Sequence, residues 1–326
     1  MSILPFTLIS YLTLFIRTII VISSTNWIIL WTGLELNILS FIPLINTTNQ
    51  YQETEARVKY FLVQALGSRL LLFARISSYM SSNLHIFIIT VLLTSLILKL
   101  GMFPLHYWYP SVITSISWIS ALTLTSWQKL APLIIIRFYF TNNLTTILIT
   151  LSTLNAIIGG VLGLNQVHIR AILSYSSITH IGWIISLIRI EYPVPAITYF
   201  IFYVVIISPI FLQINKINLT SSTHIKTFNT NTSYIILPIL ILSLGGLPPL
   251  LGFVPKLLTI IILSCTSISV LIILILGSLI NLYFYLNILF SLITGLTTNY
   301  TPITTKINLL SYGSVFISLL LPVLII

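Results

Sequence analysis

Apolar runs of membrane-spanning length alternate with short polar clusters along almost the whole chain. A helix needs about 20 predominantly apolar residues to cross a bilayer. Dividing the sequence at its Asn, Thr, Ser and charged clusters predicts eleven such spans, at residues 3–22, 26–45, 58–77, 84–109, 118–139, 143–164, 168–188, 194–215, 234–264, 266–292 and 307–325. No polar stretch is long enough for a separate soluble domain. The pattern predicts an all-α polytopic membrane protein in which residues 1–326 form one membrane domain.

Two of the longer spans contain sequences that break helices. Residues 101–104 read GMFP, and residues 245–249 read GGLPP. Proline removes an intrahelical donor and clashes with the preceding turn, and backbone groups freed inside a membrane must be satisfied by protein or by a water-lined cavity. Interrupted helices in the two halves of a transporter indicate its ion site. Proline kinks are also common in membrane helices, so a simple kink stays open for each break alone.

Four charged residues are predicted to lie deep inside apolar spans: Glu35, Lys99, Lys129 and Lys256. A charge at the centre of a membrane helix costs roughly 2.5–3.5 kcal/mol on insertion scales, and such residues commonly mark ion or proton pathways. Lys99 precedes the first break by two residues, and Lys256 follows the second by seven. The presence of a lysine beside each break favours a proton pathway over two unrelated kinks.

Composition agrees with a membrane protein and excludes several functions. Hydrophobic residues make up 57% of the 326 positions and charged residues only 6%, against about 25% charged residues in soluble domains. The net charge of +10 comes from scattered lysines and arginines, without the basic patch of a nucleic-acid-binding protein. The single cysteine, Cys265, forms no internal disulfide and cannot by itself hold an iron-sulfur cluster. No Gly-rich phosphate loop follows a strand pattern, so we expect this chain to bind no cofactor.

The distribution of basic residues predicts the orientation of the chain. Loops on the inner side of a membrane carry an excess of lysine and arginine. With eleven spans and an internal N-terminus, six basic residues fall on the inner side, namely Arg57, Lys59, Arg170, Lys216, Lys226 and Lys306, and four on the outer side, namely Arg17, Arg75, Arg137 and Arg189. The bias therefore predicts an internal N-terminus and an external C-terminus.

Six segments resemble one known family. They read NWIILWTGLELNILSFIPL, EARVKYFLVQA, LILKLGMFPLHYWYP, LTSWQKLAPL, GGVLGLNQVHIRAILSYSSITHIGW and LSLGGLPPLLGFVPKLL. They are similar to subunit 2 of mitochondrial NADH:ubiquinone oxidoreductase, complex I, over most of the chain. The resemblance implies a proton-pumping, antiporter-like module of the membrane arm, and animal members of the family have eleven helices, as the apolar runs also predict.

The resemblance also implies surroundings for the chain. Its location would be the mitochondrial inner membrane, and its partners the neighbouring antiporter-like subunits of complex I and membrane lipids. FMN, the iron-sulfur clusters and ubiquinone would be bound by other subunits, so the chain would belong to an enzyme without holding a redox site.

Roles for the four charged residues follow from the same resemblance. Glu35 in WTGLELN matches the family glutamate that pairs with a lysine on a broken helix, and Lys99 in LILKLGMFP matches that lysine. Lys129 in WQKLAP matches the central lysine of the proton channel. Lys256 in GFVPK matches the lysine on the second broken helix, toward the exit to the intermembrane space.

Two histidines join these residues as candidates for proton transfer. His106 and His180 match positions that the family associates with the hydrated axis. A lone buried histidine equally serves as a satisfied hydrogen-bonding group, so both roles stay open. The simpler alternatives for the charged residues are an architectural Glu35–Lys99 pair and a Lys129 bonded to backbone carbonyls.

The chemistry of lysine suits proton transfer inside a membrane. Burial in a low-dielectric interior disfavours a charged ammonium, and a nearby carboxylate restores it. Moving one charge therefore switches whether the neighbouring lysine holds its proton, and titrations along a row of such groups are coupled. Separation of Glu35 from Lys99 is expected to push a proton toward Lys129 and then Lys256.

Arg69 and Arg75 depart from the family, which usually has small or weakly polar residues on this helix. Arg75, near the end of a span, reaches the interface by snorkelling, whereas Arg69 near the middle needs a partner or water. An alternative is mitochondrial decoding of AGA and AGG codons as a residue other than arginine.

Two other functions fit parts of the pattern. A subunit of a stand-alone multisubunit cation/proton antiporter has the same plan of lysines and broken helices, and co-purification with a flavin-containing NADH dehydrogenase arm distinguishes the two. A scaffold whose charges only fix helix register is the third possibility. It predicts pumping that survives neutralisation of all three lysines.

Overall fold

The computed structural model describes residues 5–45, 50–80, 85–140, 145–188, 194–217 and 231–297. This part of the chain contains thirteen helices and no β-strand. The helices are α1 (Pro5–Ser23), α2 (Trp27–Ile45), α3 (Tyr51–Met80), α4 (His85–Leu100), α5 (Trp108–Ser115), α6 (Trp118–Thr125), α7 (Trp127–Phe140), α8 (Thr145–Leu164), α9 (Ile169–Ile188), α10 (Val194–Ile217), α11 (Asn231–Gly245), α12 (Phe253–Ser264) and α13 (Ile268–Thr297). The all-α prediction is confirmed.

The helices agree with the predicted spans. In the described residues, eight helical segments are long and apolar enough to cross a membrane, and the shorter apolar helices α4, α11 and α12 belong to the two spans predicted to be broken. Large apolar side chains such as Phe6, Ile19, Ile272 and Leu276 are exposed along the helices, as expected for contact with lipid. The eleventh predicted span, residues 307–325, lies outside the described residues.

The third helix begins earlier than its apolar run predicts, at Tyr51 rather than residue 58. Its added first turns are mostly polar, although Glu53 and Ala56 are buried. The exposed side chains of Glu55 and Lys59 are joined by an ion pair of 2.6 Å at i,i+4 spacing. Such pairs stabilise a helix, and Glu53 in the first turn interacts favourably with the positive end of the helix dipole. A cut based on hydropathy alone omits turns of this kind.

Residues Met1–Phe140 form the first of two compact units. Within it, α1 packs on α2, α2 on α3, and α3 on α4 and α5, while α7 contacts α1, α4 and α6. Lys99 on α4 and Lys129 on α7 therefore lie on helices that pack directly on each other, and Glu35 lies on α2, which packs on α1 and α3.

The first predicted break follows α4. Gly101 has a positive φ of 67°, its N–H donates to the Leu98 carbonyl at 3.3 Å, and Met102 N–H donates to the Ile97 carbonyl at 3.2 Å. These are the two hydrogen bonds of a Schellman cap. A Cβ at Gly101 would lie 2.7 Å from the Tyr109 Cβ, so both the backbone conformation and the packing require glycine. The helix resumes as α5, which extends to Ser115 beyond the predicted end of the span at residue 109.

The fifth span contains a break that the sequence did not predict. Ser126 separates α6 from α7 with φ −107° and ψ −76°. Its N–H and its hydroxyl both donate to the Leu122 carbonyl, at 3.0 and 2.6 Å. A serine that bonds back to the carbonyl four residues earlier bends a helix. The bend places Lys129 in the first turn of α7.

Residues Thr141–Ile326 form the second unit. Helix α8 packs closely on α9, and α9 also contacts α10, α12 and α13. Every α9 residue except Arg170 is buried. The close approach depends on small residues, because a Cβ at Gly159 would lie 2.6 Å from Thr179 Cγ2 and one at Gly182 would lie 2.7 Å from the Ser152 carbonyl oxygen.

The second predicted break follows α11 in this unit. Gly246 has a positive φ of 79°, and its N–H donates to the Leu242 and Ser243 carbonyls at 3.2 and 3.1 Å, as in an αL cap. The chain then turns through Gly252, where any Cβ would collide with the Ser243 carbonyl, before α12 begins. Both breaks predicted from Gly and Pro are therefore confirmed.

Candidate functional site

Lys99 and Lys129 line the same cavity of the first unit. The remaining wall is formed by Tyr60, Gln64, Leu100, Trp108, Tyr109, Leu124 and Gln128. The volume of the cavity that the centre of a water molecule can occupy is about 10 Å³. One water needs roughly 10–15 Å³ by this measure. Most of the lining side chains carry a polar group, so a water here has hydrogen-bonding partners.

Lys99 lies at the end of the interrupted helix α4. Its side chain is 7% exposed, and its position in the last turn places the ammonium at the negative end of the helix dipole. The backbone carbonyl of Lys99 accepts a hydrogen bond of 3.2 Å from the Gln64 amide. Gln64 thereby satisfies a carbonyl that an unbroken helix would bond internally.

Glu35 acts on Lys99 without a direct ion pair. The charge of Glu35 interacts electrostatically with Lys99, but the two side chains do not approach within ion-pair distance. Glu35 is partly buried on α2, and its Oε2 is buried without a hydrogen-bond partner. The direct pairing that the resemblance implies is thus absent here, and a Coulomb interaction over a longer distance takes its place.

Lys129 is the most deeply buried of the three lysines, at 2% exposure. Its Nζ lies 4.6 Å from the centroid of the Tyr109 ring, a cation–π distance. The preceding residue, Gln128, accepts a hydrogen bond of 2.9 Å at Oε1 from Asn37 Nδ2 on α2. This bond ties α7 beside Lys129 to the helix that carries Glu35.

His106 lies in the break between α4 and α5 and is buried at 1% exposure. Its ring stacks on Tyr107 at 4.3 Å between centroids and lies 6.0 Å from Phe103. It is not among the residues that line the cavity of Lys99 and Lys129. Its place beside the first break agrees with a relay and with a packing role alike.

Lys256 lies in the first turn of α12, beside the second break. Its Nζ donates a hydrogen bond of 2.6 Å to the Gly245 carbonyl at the end of α11. A cation near a helix N-terminus is disfavoured, whereas the C-terminal carbonyls of a helix attract it. The end of α11 therefore holds this ammonium, which is 7% exposed.

His180 lies on the buried helix α9 of the second unit. Its Nδ1 is 3.0 Å from the Tyr199 hydroxyl on α10, and its ring centroid lies 5.2 Å from that of Tyr203. It is a hydrogen-bonded histidine in an aromatic setting.

The structure adds residues that the sequence did not single out. Asn37, Gln64 and Gln128 hold or border the lysines, and Tyr199 bonds His180. The signal for Asn37 was its position two residues after Glu35 in an otherwise apolar run, and Gln128 directly precedes Lys129. Tyr199 gave no signal, because tyrosine is common in membrane helices as an anchor.

Comparison with known proteins gives one consistent family. A family model described as NADH:quinone oxidoreductase/Mrp antiporter, TM, matches residues 24–281. The chain is 46% identical over 282 residues to NADH-ubiquinone oxidoreductase chain 2 of Lumbricus terrestris, covering 86% of this chain and 84% of the relative. The protein of the same name from Hylobates lar is 40% identical over 296 residues, with coverage of 86% and 84%.

Solved structures share the fold. A chain of respiratory complex I from Thermus thermophilus matches with a TM-score of 0.77 at 20% identity, covering 98% of this chain and 76% of that one. A chain of the Mrp complex from Dietzia sp. matches with a TM-score of 0.77 at 17% identity, covering 92% and 61%. At these identities the likeness concerns the fold, and the expected antiporter-like fold is confirmed.

Proposed function

The chain belongs to the NADH-ubiquinone oxidoreductase chain 2 family, and from this premise we propose that Glu35, Lys99, Lys129 and Lys256 carry protons through it. The family makes the chain a core membrane-arm subunit of complex I, which takes part in proton translocation driven by NADH oxidation and ubiquinone reduction elsewhere in the complex. The single observation that carries the proposal is the cavity lined by both Lys99 and Lys129.

The environments of the lysines suit reversible protonation. Lys99 lies in the last turn of α4 and interacts over a distance with the charge of Glu35. Lys129 makes a cation–π contact with the ring of Tyr109. Lys256 donates a hydrogen bond to the Gly245 carbonyl. Each of these groups stabilises an ammonium less than a carboxylate in direct contact would. A change in the Coulomb interaction from Glu35 therefore changes how readily Lys99 holds its proton. Water in the shared cavity then connects Lys99 to Lys129.

The proposed path continues from Lys129 to Lys256, and His106 and His180 are further proton carriers. All of these residues belong to one membrane domain of residues 1–326 in this proposal. The chain binds no cofactor in this proposal, and FMN, the iron-sulfur clusters and ubiquinone belong to other subunits. Its location is the mitochondrial inner membrane. Its partners are the neighbouring antiporter-like subunits of complex I and membrane lipids, and it binds no nucleic acid.

A subunit of a multisubunit cation/proton antiporter is the second candidate, since the fold is shared with a chain of an Mrp complex. The relatives at 46% and 40% identity are NADH-ubiquinone oxidoreductase chain 2 proteins, which favours complex I. Purification of the intact membrane assembly distinguishes the two, because only the complex I subunit is recovered with a flavin-containing NADH-oxidising arm.

The variant Lys129→Ala tests the pathway in the assembled complex. A positioned acid or base typically speeds proton transfer by about 10²–10⁴-fold, so we expect the variant to lose the protons that this chain translocates. The measurement is protons translocated per NADH oxidised in sealed membranes, and Lys59→Ala, which removes an exposed lysine, is the control. A Lys129→Ala complex with unchanged protons per NADH would contradict the proposal.

A further inference from the structure

Helix α9 carries a line of polar groups through the buried centre of the second unit. His180 is 6% exposed, and the side chains of Ser176 and Thr179 on the same helix are buried. Ser176 and His180 are four residues apart and therefore lie on the same face. Two tyrosines from neighbouring helices approach this face: Tyr199 from α10 and Tyr285 from α13.

Tyr199 makes the direct contact with the histidine. Its hydroxyl oxygen lies 3.0 Å from His180 Nδ1, and the bond runs in either direction according to the tautomer of the ring. The Tyr199 side chain is 2% exposed. A hydroxyl both donates and accepts, so it passes a proton on when it has a second neighbour.

Tyr285 lies close enough to interact electrostatically with Tyr199. Its hydroxyl is buried near the Ser176 side chain and has no direct hydrogen-bond partner among the described residues, so a water is needed to connect it to Tyr199. A hydrogen bond from Asn281 Nδ2 to Thr179 Oγ1 joins α13 to α9. Because Asn281 and Tyr285 are four residues apart on α13, this bond fixes the register that brings Tyr285 to the face of Ser176 and His180.

We propose that Tyr199 and Tyr285 extend His180 into a buried proton relay of the second unit. The inference rests on the proposed proton pathway and adds two residues to it. A proton that reaches Nε2 of His180 forms the imidazolium, and its Nδ1–H then transfers to the Tyr199 oxygen. That oxygen releases its own proton through a water toward the Tyr285 oxygen, which makes no direct hydrogen bond in the described part of the chain. The ring is left neutral with its proton on Nε2, one proton has moved, and no electron is transferred.

The variant Tyr199→Phe tests the relay because it removes one oxygen and keeps the ring that packs against His180. We expect the assembled Tyr199→Phe complex to oxidise NADH and to translocate fewer protons per NADH, with the same deficit as Lys129→Ala. The variant Tyr285→Phe is expected to lower the ratio in the same direction. The matched control is Tyr283→Phe, two residues away on α13, whose side chain is 59% exposed.

The outcomes separate this inference from the function on which it rests. A deficit in Lys129→Ala together with a normal ratio in Tyr199→Phe and Tyr285→Phe overturns the relay and leaves the lysine pathway standing. A normal ratio in Lys129→Ala overturns the pathway and the relay with it. If Tyr199→Phe fails to assemble, Tyr285→Phe against Tyr283→Phe decides the question, and a normal ratio in both overturns the relay.

Discussion

The three buried lysines lie beside groups that stabilise their ammonium charge and still allow it to lose a proton. A helix end, a tyrosine ring and a backbone carbonyl lie beside Lys99, Lys129 and Lys256, respectively. A contact ion pair in a dry interior would instead resist the loss of its proton, since breaking one typically costs about 3–5 kcal/mol. In the proposed pathway, the longer Coulomb interaction between Glu35 and Lys99 leaves the lysine responsive to charges that arrive or leave nearby.

Glu35→Gln tests this interaction because it removes the charge and keeps the shape. Two charges beyond contact interact by roughly 1–3 kcal/mol at an effective dielectric of about 20, which corresponds to about 5- to 150-fold in a rate. We expect protonation of Lys99 to be disfavoured and proton translocation to slow by roughly that factor. The measurement is the rate of proton translocation in sealed membranes.

Glu55→Gln is the control for this variant. It removes the carboxylate of the exposed pair with Lys59, and exposed pairs contribute only about 0–1 kcal/mol. We expect its translocation rate to equal that of the unaltered complex. Equal rates for Glu35→Gln and the unaltered complex would show that the charge of Glu35 has no part in the pathway.

Sequence patterns identified the charged residues but not their partners. A lysine in an apolar run is visible because it violates the hydropathy of its span. The bond between Asn37 and Gln128 joins residues 91 positions apart, and that between His180 and Tyr199 joins neighbouring helices. Such partners depend on how helices rotate and pack, which no single span encodes.

At the scale of the helix, each break is a capped end with a lysine beside it. The glycines at 101 and 246 provide the positive φ that ends α4 and α11. The sequence predicted both breaks because Gly and Pro act locally. It missed the bend at Ser126 because serine bends a helix when its hydroxyl bonds to the carbonyl four residues earlier, whereas the serines of α9 bond to carbonyls three residues earlier and leave that helix intact.

Gly246→Ala tests the second break. A residue with a Cβ at a positive φ costs roughly 1–2 kcal/mol, and this Cβ would lie 2.8 Å from Lys256 Cδ and 2.9 Å from its Nζ. We expect a complex of lower thermal stability in which Lys256 is displaced from the Gly245 carbonyl and fewer protons move per NADH. The measurements are thermal inactivation and the proton ratio.

The adjacent Gly245→Ala is the matched control for this substitution. Its Cβ would meet Tyr285 Cδ2 at 3.5 Å, an ordinary contact, at a backbone conformation open to other residues. We expect it to change stability and the proton ratio much less. Similar losses in both variants would mean that the conformation at Gly246 is not what positions Lys256.

At the scale of the whole chain, the basic residues near the span ends predict an internal N-terminus. With an internal N-terminus, the turn between α12 and α13 lies on the outer side. Cys265, which is exposed and is the only cysteine of the sequence, is in this turn. One thiol therefore reports the topology of the chain without any engineered residue.

We expect a membrane-impermeant thiol reagent to label Cys265 from the intermembrane-space side. Mitochondria stripped of their outer membrane expose that side, whereas inside-out inner-membrane vesicles expose the matrix side. The readout is the mass of the labelled peptide, and Cys265→Ser should abolish it. Labelling from the matrix side alone would reverse the predicted orientation.

Helix α9 has a consequence for biogenesis. Its hydroxyls bond to carbonyls three residues earlier on the same helix, as in Ser174 to Ala171, Ser177 to Ser174 and Ser186 to Trp183. The serine hydroxyls of this segment therefore find their hydrogen-bond acceptors within α9 itself. For these groups, insertion into the lipid does not have to wait until α10 and α13 are synthesised. His180 differs from these serines, because its hydrogen bond to the Tyr199 hydroxyl requires α10, which is synthesised later.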